Sequence, residues 1–236
     1  MREYEEIWEK FKSERRLNFG GHTDPQWRHK HKTSVSFVVP VEASPLRERL
    51  EPLREALRPM SFVSLHPDYF MHITLLILGF FVPQARKKDE LSAKRLAELE
   101  EKAQDALSDF PAFPVTLANL NAFPGAAFIE AHANGMFEEL QERLSVSCGL
   151  RKPPGPPHLT LAYFHAPDNS TAPEGLISAI ERYRNWPVGE IQADRVHLSL
   201  LNLQQDYPEP EVAAEILLVD GRGRLKATPV RGAPSA

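Results

Sequence analysis

The stretch His72-Ile73-Thr74-Leu75-Leu76 returns 86 residues later as His158-Leu159-Thr160-Leu161-Ala162. Each copy begins an apolar run that is typical of a β-strand. Side chains alternate along a strand, so the histidine and the threonine of each copy share one face, and the residues between and after them share the other. The repeated pattern therefore predicts two strands that each present an imidazole and a hydroxyl on a rigid support.

The segments around the two copies alternate between helical and extended patterns. Apolar residues at intervals of three and four predict helices, and runs of β-branched and aromatic residues predict strands. The predicted helices are Tyr4 to about Arg16, Pro45 to Leu57, Asp89 to Leu107, Gly135 to Leu144 and Glu174 to Arg184; the predicted strands are Val35 to Val41, Met71 to Phe81, Phe113 to Leu120, Ala127 to Ala131, His158 to Phe164, Ile191 to Leu203 and Val212 to Val219. Because this order is similar in the two halves, it predicts an α+β fold with two related lobes.

Composition excludes several classes of protein. The formal net charge of -4 argues against a surface that coats nucleic acid non-specifically, since that mode needs a basic face. The single cysteine, Cys148, excludes an internal disulfide framework and favours a reducing compartment. The longest apolar run, Ile73 to Val82, is too short to cross a bilayer, and the charged N-terminus lacks the apolar core of a signal peptide. We expect a soluble, cytoplasmic protein that does not bind membranes and is monomeric by default.

The chain is expected to divide into an N-terminal helical and basic extension (residues 1–33), a main domain (34–220) and a loose C-terminal tail (221–236). The extension ends in the basic stretch Arg28-His29-Lys30-His31-Lys32. Such a run is commonly a solvated surface. The functional alternative is a flap that reaches a polyanionic substrate, and a further alternative is that the N-terminal helix recruits a partner protein.

The two histidine-threonine pairs suit the cleavage of a phosphodiester. The reaction needs a base to activate the incoming oxygen and an acid to protonate the departing one, and imidazole can take either role near neutral pH. We expect His72 and His158 to take these roles, while Thr74 and Thr160 donate hydrogen bonds to the phosphate oxygens. Two copies facing one cleft would place imidazoles on opposite sides of one phosphorus, and no metal ion or cofactor is required.

Other histidines offer weaker alternatives. A third match, His197-Leu198-Ser199-Leu200, has serine in place of threonine and lies outside the repeated strand-helix order, so we expect a structural or supporting role there. His22, His29 and His31 could coordinate a metal, but they lack the fixed spacing of a preformed site.

At these residues the chain resembles the two-histidine (2H) phosphoesterase superfamily, in its bacterial 2′-5′ RNA ligase-like, cyclic phosphodiesterase branch. The resemblance covers roughly residues 34–219 and includes Leu78-Gly79 after the first motif and the prolines before the second. It implies a bilobal fold in which two antiparallel sheets, with helices outside, line a central cleft that carries one motif per lobe. It also implies opening of 2′,3′-cyclic phosphates, cleavage of 2′-5′ bonds, or the reverse joining of RNA ends.

The substrate implied by the resemblance is an RNA end or a small nucleotide. Some ligase-like members have an arginine shortly after the second motif, where this chain has Ala162-Tyr163-Phe164, which favours hydrolysis over ligation. Tyr163 and Phe123 are candidate base-stacking residues, and His66 is a candidate for the border of the cleft. The alternative, from another class, is a module that binds a nucleotide or an RNA end without efficient turnover.

Overall fold

The computed structural model describes residues 2–22 and 24–219, so the expected loose tail lies outside the described residues. The helices are α1 (Arg2–Glu14), α2 (Pro25–Lys30), α3 (Arg47–Leu57), α4 (Ala93–Leu107), α5 (Met136–Cys148) and α6 (Glu174–Arg182). The strands are β1 (Arg16–Leu17), β2 (Thr33–Pro40), β3 (Val63–Leu65), β4 (His72–Phe81), β5 (Glu90–Leu91), β6 (Phe113–Phe123), β7 (Ala126–His132), β8 (His158–Phe164), β9 (Ser170–Thr171), β10 (Pro187–Ala193), β11 (Arg195–Asn202) and β12 (Glu211–Leu217). In this part of the chain, no helix combines the length and the apolar character needed to cross a membrane.

The main sheet runs in the order β10-β6-β7-β8-β4-β2-β11-β12, and each strand is antiparallel to its neighbours. The sheet narrows at its centre, where β4 and β8 share the single residue pair Ile73–Leu159. This narrowing separates the His158 lobe (β10, β6, β7 and β8) from the His72 lobe (β4, β2, β11 and β12). The expected α+β fold with two antiparallel halves is confirmed, and one residue pair joins the two halves.

Two helices connect the lobes, because each packs on the lobe opposite to the strand that precedes it. Helix α3 follows β2 of the His72 lobe but packs against β10 and α6 at the His158 lobe. Helix α5 follows β7 of the His158 lobe but packs against β4 and α4 at the His72 lobe. The two lobes are therefore interlocked by their own connections.

Several predicted elements were wrong in their bounds, and for two of them the structure shows the reason. The expected single strand Ile191 to Leu203 is two strands, because the chain changes partners at Asp194: β10 pairs with β6, whereas β11 pairs with β2 and β12. The helix expected from Asp89 begins at Ala93, where the Ser92 hydroxyl accepts a hydrogen bond from the Arg95 amide (3.4 Å) and caps the first turn. The residues before this cap form β5, which lies parallel to β4.

Helix α1 is packed into the main domain. Its inner face buries Tyr4, Trp8 and Phe11, and the Asn121 amide donates a hydrogen bond to the Tyr4 carbonyl (2.9 Å). The Tyr4 hydroxyl lies against the carbonyl of Pro157, the residue immediately before His158. Helix α1 therefore supports the loop that leads into the second motif.

The burial of α1 predicts a large stability effect from one side chain. Trp8 is 3% exposed, so Trp8→Ala should lower the free energy of unfolding by about 3–5 kcal/mol, because it deletes a large apolar side chain from the core. Urea unfolding followed by circular dichroism would measure the change. Lys10→Ala, on the solvent face of the same helix, is the matched control, and equal stabilities for the two variants would contradict the packing described.

Candidate active site

The pairing of β4 with β8 puts the two motifs on one face of the sheet. Ile73 and Leu159 oppose each other, and both are fully buried. Residues on either side of a paired residue point to the opposite face, so the histidine and the threonine of each strand project away from this core. The burial agrees with this geometry, since the alternation of half-buried and buried residues is identical from His72 to Leu75 and from His158 to Leu161.

Each motif ends in a β-bulge at its leucine. On β4, Leu76 opposes Phe37 and Thr74 opposes Val38, which leaves Leu75 without a partner on β2. On β8, Leu161 is likewise skipped in the pairing with β7. An extra residue reverses the alternation beyond it. The fifth residue after each motif histidine, Ile77 or Tyr163, is thereby turned towards the cleft.

The bulged leucines keep partners for their carbonyl groups. The buried side chain of Gln141 in α5 donates a hydrogen bond to the Leu75 carbonyl (3.1 Å). The backbone amide of His66 donates to the Leu161 carbonyl (2.9 Å). A buried carbonyl without a partner would cost stability, so these two donors stabilise the bulges and with them the shape of the site.

The two imidazoles are held in the same way. Nδ1 of His72 donates a hydrogen bond to the Phe70 carbonyl (2.8 Å), and Nδ1 of His158 donates to the Pro156 carbonyl (3.0 Å). A carbonyl oxygen can only accept, so Nδ1 carries a proton in both rings. In the neutral rings Nε2 is therefore the unprotonated nitrogen, which can accept a proton or, once protonated, deliver it.

Burial sets the charge state of both histidines. Desolvation lowers the pKa of His72, although its hydrogen bond to the Phe70 carbonyl partly opposes the shift. Desolvation also lowers the pKa of His158, the bond to Pro156 opposes the shift, and the charge of His72 lowers the pKa further. The pKa of His158 thus depends on the charge of His72, and both rings favour the neutral form when no anion is present.

A cavity of about 470 Å³ lies over the four motif side chains. The His158 lobe contributes Phe123 and Tyr163 to its wall, and the His72 lobe contributes Ser34, Ser36 and Ile77. Among the residues that the structure describes, those lining this cavity include no Lys, Arg, Asp or Glu. The described lining is therefore polar through hydroxyl and imidazole groups and carries no fixed charge.

Two of the three predicted substrate contacts lie at the cavity. Phe123 lines it, stacks on Phe128 (ring centroids 4.3 Å apart) and meets the ring of His158 edge-on at 5.0 Å. Tyr163 also lines it, and burial raises the pKa of its phenol, which keeps the hydroxyl protonated. Both side chains combine an aromatic surface with proximity to the second motif.

His66 lies outside the cavity lining. Its ring is 2% exposed and packs edge-on against Tyr163 (4.4 Å) and Phe70 (5.0 Å), so it supports Tyr163 from behind. Burial, together with the nearby charges of His72, His22 and Arg54, holds the pKa of His66 well below its ordinary value.

The remaining candidate histidines are spread apart. Nε2 of His197 lies 3.1 Å from a carboxylate oxygen of Glu215, and the residue is not part of the cavity lining. His22 is buried at the cavity wall, His31 stacks on Phe80 (3.7 Å), and His29 is exposed. Over residues 2–22 and 24–219, no three His, Cys, Asp or Glu side chains are grouped so as to hold a metal ion.

Several cavity residues were not predicted, namely Ile77, Gln141, His22 and Trp27. For Ile77 a signal was present, since it follows His72 by five residues as Tyr163 follows His158. It is 55% exposed, which is unusual for an isoleucine within an apolar strand. The other three reach the cavity only through tertiary contacts.

Comparison with known proteins places this geometry in a family. The profile of the 2′-5′ RNA ligase superfamily matches residues 30–205. A search of curated proteins found no match. Among solved structures, TT0787 of Thermus thermophilus is 21% identical with a TM-score of 0.57, and covers 78% of this chain and 97% of its own. A structure described as a phosphoesterase is 17% identical with a TM-score of 0.58, covering 79% and 98%.

E. coli LigT, crystallised with 3′-AMP, is 17% identical with a TM-score of 0.57, covering 80% of this chain and 99% of its own. These structural likenesses show the fold. The profile match extends over most of the chain and includes both histidine motifs. This chain therefore belongs to the 2′-5′ RNA ligase superfamily of two-histidine phosphoesterases.

Proposed function

We propose that this chain is a phosphodiesterase that opens 2′,3′-cyclic phosphates or cleaves 2′-5′ bonds in nucleotides or at RNA ends. His72 and His158 are the acid and the base, and Thr74 and Thr160 bind the phosphate. The observation that carries the proposal is the matched state of the imidazoles: each has Nδ1 bound to a backbone carbonyl, and both line the same cavity.

The proposed reaction needs two proton transfers: the incoming oxygen loses a proton and the departing oxygen gains one. The neutral imidazole takes a proton from water while the water oxygen forms a bond to phosphorus. The bond from phosphorus to the 2′ or 3′ oxygen breaks, and the imidazolium donates its proton to that oxygen. A monoester remains, and each imidazole has exchanged its role. When a 5′ hydroxyl replaces water as the incoming group on a 2′,3′-cyclic phosphate, the base takes the proton of that hydroxyl, the bond from phosphorus to the 3′ oxygen breaks, and the acid protonates the departing oxygen. The product is a 2′-5′ linkage, so the same two imidazoles would serve ligation.

The absence of fixed charge in the described cavity lining supports a monoanionic substrate. A cyclic phosphate or a diester carries one negative charge, which the two threonine hydroxyls and one imidazolium can balance. The monoester product gains a second ionisation near neutral pH. Since no Lys or Arg lines the described cavity to meet that second charge, the proposed site favours substrate over product.

Two observations support nucleotides as the proposed substrates: the aromatic residues of the cavity lining and the ligands crystallised with a structural relative. Phe123 and Tyr163 offer aromatic surface beside His158, which suits a base next to the reacting phosphate. E. coli LigT has been crystallised with 3′-AMP, ATP and NADP+. A nucleotide- or RNA-end-binding module remains the second candidate, and it differs from the first only in lacking turnover.

Replacing either catalytic imidazole should abolish most turnover of a 2′,3′-cyclic nucleotide. We expect His72→Ala and His158→Ala each to lower kcat by about 10²–10⁴-fold in EDTA, because each removes one proton-transfer step. Thr74→Val and Thr160→Val should each lower kcat by about 10²–10³-fold through loss of one phosphate donor. Product formation measured by chromatography gives these rates.

His197→Ala is the matched control, because His197 begins a similar motif outside the cavity, and it should retain wild-type turnover. Thermal unfolding of each variant separates catalytic loss from misfolding. Full activity in either histidine variant would refute the two-histidine mechanism. Micromolar binding of nucleotides by a wild type that turns over no cyclic phosphate and no 2′-5′ linkage would favour the binding module.

The pH dependence follows from the direction of the two pKa shifts. The free enzyme needs one neutral and one protonated imidazole, so kcat/KM should be greatest between their two pKa values. Burial lowers both, which puts the maximum below about pH 6.5. Raising the pH removes the proton of the acid, and lowering it further protonates the base.

Bound monoanionic substrate stabilises the imidazolium, so the profile of kcat should extend to higher pH than that of kcat/KM. Initial rates over a pH series in EDTA, at limiting and at saturating substrate, measure both profiles. A kcat/KM maximum at alkaline pH would contradict the desolvated state described for the two histidines.

A further inference from the structure

Residues 18–22 and 24–31 form a strap across the cleft, here called the N-terminal strap. Its first part is bound to the His158 lobe: the Asn18 amide donates to the Pro124 carbonyl (2.8 Å) and the Gly20 amide donates to the Phe164 carbonyl (2.9 Å). The approach is so close that a Cβ on Gly20 would lie 1.8 Å from the Gly125 oxygen, which only glycine avoids.

The second part of the strap is bound to the His72 lobe. Nε of Arg28 donates to the Leu203 carbonyl (2.8 Å), and the Gln204 side chain donates to the His31 carbonyl (3.0 Å). Both partners follow the last residue of β11. The Arg28 guanidinium is thus engaged with the protein itself, and the strap links the two lobes across the cavity.

The strap brings Trp27 to the cavity wall. Trp27 belongs to α2, whose first turn begins with Pro25 and is capped by Asp24, a carboxylate that accepts a hydrogen bond from the Gln26 amide (2.7 Å). The indole meets Phe80 edge-to-face, with ring centroids 5.4 Å apart at 86°. It remains half-buried, so it is held in place and still presents ring surface to the cavity.

We propose that Trp27 is a nucleobase-stacking residue of this cavity, positioned by the N-terminal strap. The inference rests on the proposed function, and it goes further by assigning a base-recognition element to a residue outside the span that the family profile matches. The opposite wall carries Phe123 and Tyr163, and the exposed Ile77 lies on the same lobe as Trp27. A flat apolar ligand portion matches these surfaces, whereas the described lining offers no charged group to bind further phosphates.

The chemical class selected by this arrangement is a phosphodiester that bears a purine or a pyrimidine. Stacking accepts any base, because every base has a π-face, and a purine offers the larger contact. A cyclic phosphate on a ribose without a base would use the two motifs but not Trp27. The strap should therefore affect substrate affinity and leave the proton transfers unchanged.

Fluorescence tests the contact directly, because the chain has three tryptophans and only Trp27 lines this cavity within the described residues. Trp8 is buried in the core, and the Trp186 indole donates to the Arg49 carbonyl (3.0 Å). Titrating the full chain with 3′-AMP should quench the wild-type emission. The quench should disappear in Trp27→Phe and persist in Trp186→Phe, the matched control.

Steady-state kinetics test whether Trp27 affects substrate affinity without changing the proton transfers. For 2′,3′-cyclic AMP, Trp27→Leu should raise KM by about 5- to 150-fold with kcat unchanged, and Trp27→Phe, which keeps an aromatic ring, should recover most of the loss. For ribose 2,3-cyclic phosphate without a base, all three proteins should give the same kinetics. Thermal unfolding of both variants establishes that they fold.

The outcomes separate the two proposals. Turnover of cyclic AMP with wild-type KM in a folded Trp27→Leu variant, or quenching that survives in Trp27→Phe, would overturn base stacking and leave the phosphodiesterase proposal standing. Trp27-dependent quenching by 3′-AMP in a wild type without turnover would support stacking and overturn the proposed chemistry. A wild type with neither quenching nor turnover would overturn both.

Discussion

The pair Ile73–Leu159 is the contact on which the site depends. It is the only pairing between β4 and β8 in the described residues, and both side chains are fully buried. Because side chains alternate, burying this pair obliges the neighbouring histidines and threonines to face the cleft. A shift of one residue would bring the imidazoles into the apolar core and the isoleucine and leucine into the cavity. The hydrophobic pattern of two strands therefore determines where the proposed catalytic groups lie.

Because the helices interlock the two lobes, a single residue pair between β4 and β8 is enough to join the two halves of the sheet. Since α3 and α5 each pack on the lobe opposite to the strand that precedes them, the lobes cannot separate without breaking helix contacts. Gln141, on α5, also holds the bulge of the His72 lobe, and the His66 amide holds that of the His158 lobe. The strap adds a third link at the cavity itself. The lobes are thus fixed relative to each other by several independent contacts, as the proposed acid and base on opposite lobes would require.

The sequence could predict those features of the fold and of the site that depend on the local spacing of apolar residues. The motif faces and most of the helices follow from intervals of two, three or four residues, and these agree with the structure. The bulges could not be predicted, because an extra residue is invisible in a strand such as β4, where nearly every position is apolar. Trp27 and His66 could not be placed either, since their positions depend on partners far along the chain, such as Leu203 for the strap and Leu161 for His66.

Because the described part of the cavity lining has no Lys, Arg, Asp or Glu, the histidine pair controls the charge of the site. The charge of His72 lowers the pKa of His158, so a doubly protonated pair is disfavoured, and burial disfavours protonating even one ring while the cavity is empty. A bound monoanion balances the positive charge of one imidazolium but not of two. The complex that is electrically balanced thus contains one protonated and one neutral imidazole, which is the state that general acid-base cleavage requires. Under the proposed mechanism the charge of the substrate itself would prepare the histidine pair, and a ligand with two negative charges would favour the second, unproductive proton.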